Sequence, residues 1–97
     1  MHTYIILAKL TDQGLKAIKN APERIEESIK HFETMGGKVS GFYTVMGEYD
    51  YVAIFEAPSD EAFMTFLLRV SAGGNVRTTT LKAFTKEELA EMIKKLP

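Results

Sequence analysis

"MGEYDYVAIFEAP", residues 46–58, decides the fold. Read as a strand, Tyr49–Phe55 carries apolar or aromatic residues on both faces. Tyr49, Tyr51, Ala53 and Phe55 share one side, and Val52 and Ile54 the other. One acid, Asp50, sits between two tyrosines near the start of the run. A strand of an antiparallel sheet with one wet face should alternate apolar with polar residues. This one does not, so both of its faces need cover.

The neighbouring segments supply the rest of the sheet. Residues 38–46 read as a strand, with Val39, Tyr43 and Val45 on one face and Phe42 and Met46 on the other. Gly47-Glu48 then predicts a tight hairpin into residues 49–56. Residues 2–10 read as the first strand, with Tyr4, Ile6, Ala8 and Leu10 opposite Ile5 and Leu7. "TDQG" breaks that strand, and a short helical piece follows over 15–19. "NAPE" opens a long helix, with Asn20 as cap, Pro22 in the first turn and Glu23 at capping-box spacing. Ile25, Ile29 and Phe32 form its buried stripe, and Gly36-Gly37 ends it. Pro58-Ser59-Asp60 opens a second helix, with Phe63, Phe66, Leu67 and Val70 along one face. Gly73-Gly74 closes that helix before a fourth strand over about 75–84. Thr85 and Glu88 make a capping box for a last helix striped by Leu89, Met92, Ile93 and Leu96.

The order β-α-β-β-α-β plus a C-terminal helix is the split βαβ pattern of α+β ferredoxin-like folds. Right-handed crossovers place both main helices on one face of a four-stranded antiparallel sheet of order 4-1-3-2. The opposite face is then a large apolar patch, of the kind that marks an interface. A second copy packed sheet to sheet would cover it, making a homodimer around a barrel-like core, with higher homo-oligomers built from that unit. The competing expectation is that the C-terminal helix folds back over the same face.

Whole-chain properties narrow the function. Ninety-seven residues form one domain, 1–97. A net charge of −1 lacks the basic footprint of a nucleic-acid module. No apolar run approaches the length of a membrane span, and "MHTYIILAKL" reads as a strand and not as a signal peptide. Cysteine is absent. That removes disulfides, thiol nucleophiles and thiolate metal sites, and fits a cytoplasmic protein.

"FYTVMGEYDYVAIFEAPSDEA" (42–62), "GNVRTTTLKAFT" (74–85) and "TDQG" (11–14) resemble the GYD-domain family over nearly the whole chain. Its Gly-x-Tyr-Asp signature corresponds to Gly47-Glu48-Tyr49-Asp50. The resemblance implies a dimeric α/β barrel. The wider superfamily holds cofactor-free monooxygenases, isomerases, haem enzymes and ligand sensors, and fold alone does not choose among them.

The residues that could carry chemistry are few. Asp50 is the candidate acid or base, or else a brace for its own hairpin. Arg77 is a candidate for holding an anion, or for a salt bridge between subunits. Strand order separates it from Asp50, so the two meet only around the core or across a dimer. Tyr4, Tyr43 and Tyr49 are candidate ligand contacts, each also a candidate structural tyrosine; Tyr51 belongs with them as aromatic surface. His2 and His31 lack metal-ligand spacing, so neither a metal nor a cofactor is expected. Met35, Met46, Met64 and Met92 read as core filler. The reading is a homo-oligomeric module for a small organic ligand. Its rivals are a cofactor-independent monooxygenase-like or isomerase-like enzyme, and a purely structural unit.

Overall fold

A computed structural model describes all 97 residues. The chain runs β1 (His2–Leu10), α1 (Asp12–Lys16), a 3-10 turn (Ile18–Asn20), α2 (Ala21–Thr34), β2 (Lys38–Thr44), β3 (Tyr51–Ala57), α3 (Asp60–Ala72), β4 (Val76–Ala83) and α4 (Lys86–Lys94). The sheet order is β2-β3-β1-β4, and every pairing is antiparallel. This is the ferredoxin-like α+β fold that the element order predicts.

The two faces of β1 and β3 separate as alternation demands. Tyr4, Ile6 and Ala8 pair in register with Phe55, Ala53 and Tyr51, and all six are buried beneath α2 and α3. Phe32, Phe63 and Phe66 meet them from the helices. On the other face Ile5, Leu7, Val52 and Ile54 lie in a half-buried row.

Several expectations change. The hairpin is not a two-residue turn: β2 ends at Thr44, β3 starts at Tyr51, and the connection is closed by Val45 N–H donating to the Asp50 carbonyl (2.9 Å). Tyr49 and Asp50 therefore lie outside the strand, and Met46 at the loop tip is 99% exposed. Met64 and Met92 are exposed as well, so only Met35 packs against the core. In β2 a bulge between Val39 and Gly41 resets the alternation. Val39 and Phe42 both pair with helix-side residues, and Tyr43 pairs with Val52 on the open face.

"TDQG" begins a helix instead of only ending a strand. Thr11 Oγ1 accepts from Gly14 N–H (3.1 Å) and donates to the Gly74 carbonyl (2.6 Å). Gln13 Nε2 donates to Gly73 O (2.9 Å) and Asn75 Oδ1 (3.1 Å). A side chain on Gly14 would strike the Asn75 carbonyl at 2.1 Å, so only glycine allows this approach. The motif clamps the end of β1 to the α3–β4 loop. Asn20, in turn, makes no side-chain cap. The 3-10 turn runs straight into α2 and leaves Asn20 at φ −94°, ψ 0°, outside the extended region a cap needs.

The capping box of α4 forms in full: Glu88 N–H donates to Thr85 Oγ1 (3.0 Å) and Thr85 N–H to Glu88 Oε1 (2.8 Å). α4 does not fold back over the open sheet face. None of its residues is buried, and Leu89, Met92, Ile93 and Leu96 are 41–68% exposed. The radius of gyration, 14.9 Å, exceeds the roughly 12.5 Å expected of a compact chain this long. The open sheet face and the α4 stripe thus stand unpaired together.

Candidate binding site

Aromatic rings fill one end of the gap between α2 and α3. Phe32 meets Phe66 at 4.6 Å and crosses Phe55 edge-on at 5.3 Å. At the other end the side chains run short. Ala8 and Ala53 form a low floor, Ile25 and Ile29 of α2 one wall, and Phe66 and Val70 of α3 the other. The result is a half-open cavity of about 280 Å³. Tyr51 and Phe42 close its β2 side. Arg24, Arg69 and Asn75 line its mouth, with Glu27 the one acid there. Most of its lining is apolar, with Ser28, Thr78 and the Tyr51 hydroxyl as further polar groups.

None of Tyr4, Tyr43, Tyr49, Asp50 and Arg77 lines this cavity, and they do not converge on one another. Asp50 braces the hairpin against β1. Its Oδ2 accepts from Leu10 N–H (2.8 Å), and its own N–H donates to the Ala8 carbonyl (2.8 Å). Glu48 pairs with Lys9 at 3.4 Å, and the Lys9 ammonium lies 5.3 Å from the Tyr49 ring centre. The Gly-x-Tyr-Asp signature is thus tied along the end of β1, with Gly47 at φ +110° making the loop tip. Tyr43 and Arg77 lie far out on the open face, Arg77 opposite Lys9 and without an ion-pair partner.

Tyr4 belongs to a separate network. Its ring stacks on Phe63 at 4.0 Å, and its hydroxyl donates to Asp60 Oδ1. Lys82, its neighbour in register on β4, reaches the same carboxylate at 2.8 and 3.0 Å. Burial, and then the Asp60 carboxylate, push the Tyr4 hydroxyl up to about 12. The hydrogen bonds from Lys82 and Tyr4 hold Asp60 below its usual range. A tyrosine shifted in this direction stays protonated and is a poor base. Its folded pKa lies above its unfolded one, so its contribution is complete below pH 10 and is lost as pH rises through about 12. Tyr4→Phe is expected to lose about 1 kcal/mol at neutral pH and to flatten the alkaline fall in stability between pH 10 and 12. Urea titrations at stepped pH read both effects, and an unchanged alkaline limb would refute the assignment.

Sequence reasoning missed Arg24 and Arg69. Both look like ordinary surface charges of amphipathic helices, and only the splay of α2 from α3 turns them to one opening. A cue lay in the floor: two alanines, Ala8 and Ala53, on the buried sides of the central strands.

The sequence profile of the GYD domain matches residues 4–93. This chain belongs to the GYD-domain family. A curated relative, the glutamine synthetase and cystathionine beta-lyase binding protein of Thermus thermophilus, is 35% identical over 95 residues. The alignment spans 97% of this chain and all of that protein. Among solved structures, the GYD fold is similar to the feast or famine regulatory protein of M. tuberculosis complexed with L-methionine (TM-score 0.66, 26% identity, 89% of this chain). This chain spans about half of that regulator, 52%. FFRP-DM1 has the same fold at 22% identity (TM-score 0.61), with 87% of this chain matching all of that one. No helix is long and apolar enough to cross a membrane.

Proposed function

We propose that this GYD protein is a cytoplasmic, homo-oligomeric binding or sensing module, built as a sheet-to-sheet dimer with a small-ligand cavity between sheet and helices in each protomer. The observation that carries the reading is the cavity between α2 and α3, set in a sheet whose opposite face is also apolar. The full-length relative named as a binding protein and the regulator complexed with L-methionine support it. Dimerisation buries Ile5, Leu7, Val52 and Ile54, and brings Tyr43 and Arg77 to the seam. Native mass spectrometry of freshly purified protein, followed by the denatured chain, tests both halves. A dimer or its multiple carrying mass that denaturation releases supports the reading. A bare monomer overturns the assembly.

A second reading concerns partners. The curated relative is named as a binding protein of glutamine synthetase and cystathionine beta-lyase. By that likeness this chain docks on an enzyme of the same kind, and the solvent-facing stripe of α4 is the surface offered for it.

The cofactor-independent enzyme remains the rival, with Asp50 as its acid or base. Against it stands the use of Asp50 as a backbone acceptor. Asp50→Ala strands the Leu10 N–H and is expected to cost about 1–2 kcal/mol, whereas Asp50→Asn keeps an acceptor oxygen and costs less. Thermal unfolding of both variants, beside the wild type, reads the difference. An Asp50→Asn protein of wild-type stability that loses a measurable turnover would reinstate the enzyme.

A further inference from the structure

We infer that the α2–α3 cavity takes an apolar monocarboxylate, with its hydrocarbon or aryl body on the alanine floor and its carboxylate between Arg24 and Arg69. The inference rests on the binding-module reading and names the chemistry of its ligand. Three observations carry it.

The first is shape. An apolar cavity of 150 Å³ accommodates benzene, so about 280 Å³ suits a body of roughly eight to ten carbons. The second is polarity. Ile25, Ile29, Phe66 and Val70 wall the cavity, and apolar residues are the majority of its lining, with the hydroxyls of Ser28, Tyr51 and Thr78 among the rest. The third is charge. Neither arginine is among the ion pairs of the protein. Arg24 is half-buried, and its Nη1 donates to the Ala17 carbonyl at 2.9 Å, which fixes the guanidinium at the mouth and leaves other N–H groups free. Arg69 stands on the facing helix with no side-chain hydrogen bond. Two guanidiniums against the single carboxylate of Glu27 leave the mouth with an excess positive charge, matched by one carboxylate. An amine would be repelled, and an alcohol would leave both forks unpaired.

Calorimetric titration with octanoate, octanol, octylamine and leucine tests this, with backbone amide NMR shifts locating each probe. Octanoate is expected to bind roughly tenfold or more tighter than octanol, octylamine or leucine, shifting Ala8 and Ala53. Arg24→Gln/Arg69→Gln removes that preference and leaves octanol binding unchanged. Val70→Phe, which fills the cavity, abolishes both. If either variant unfolds, the wild-type octanoate-to-octanol ratio at low and high salt replaces it: a charge-held head group loses preference as salt rises. A preference for octylamine or octanol, or one indifferent to salt and to the arginines, overturns the carboxylate, and a preference for leucine overturns the plain apolar monocarboxylate in favour of an amino acid; each leaves a binding module. Absence of any probe at Ala8 and Ala53 overturns both.

Discussion

If the protein assembles as the sheet-to-sheet dimer proposed above, Ile54→Glu is expected to convert it into a monomer. Ile54 lies at the centre of the open sheet face, in register with Ile5 on β1 and Gly41 on β2. In a two-fold interface each substitution acts twice, so two carboxylates enter the same apolar seam. Unpaired buried charges cost several kcal/mol apiece, and dimer affinity should fall at least roughly a thousandfold. The folded monomer should survive, because Ile54 points away from Phe32, Phe55 and Phe63. Sedimentation equilibrium reads the mass, and circular dichroism the fold. A variant that stays dimeric would place the interface elsewhere, most directly on the α4 stripe.

Phe32→Ala is expected to have the largest effect on stability of any single truncation. Phe32 is fully buried and packs on Phe55, Phe63 and Phe66. Its ring also presses on Gly37, where an added Cβ would lie 2.4 Å from it. The surroundings are rings and a backbone turn, which collapse poorly into a void. The expected cost is about 3–5 kcal/mol, comparable with a large part of a small domain's stability. At about 4 °C or more per kcal/mol for a chain this size, the melting temperature falls by roughly 12 °C or more. The measurement belongs at several protein concentrations, because the proposed dimer would add its own stability. A loss below 1 kcal/mol would mean that the aromatic cluster is not the keystone of the helix-to-sheet packing.

The two faces of β1 were legible because alternation is a property of the backbone. The fourth strand and the three main helices were legible from stripes, caps and glycine stops. The hairpin between β2 and β3 was not. Gly47-Glu48 looks like a two-residue turn, but Asp50 is held by Leu10 and Ala8 of β1, a strand forty residues away. That long-range bond stops the ladder at Tyr51 and widens the loop. The bulge after Val39 escaped for the same reason, since its cause is pairing with Phe55 and Ile54 and not the local run.

The candidate site divides along the same line. That the sheet is apolar on both sides follows from residue order alone, because it depends on the two-residue period of a strand. Which task Asp50 has, and that Arg24 and Arg69 share one opening, depends on distances across the fold. α2 and α3 meet through Phe32, Phe63 and Phe66 at one end and are held apart over Ala8 and Ala53 at the other. No periodicity within either helix encodes that gap. It arises only when two helices of different registers settle on one sheet, which is why the sequence determined the layers and their exposed faces and the tertiary structure decided where a ligand has room.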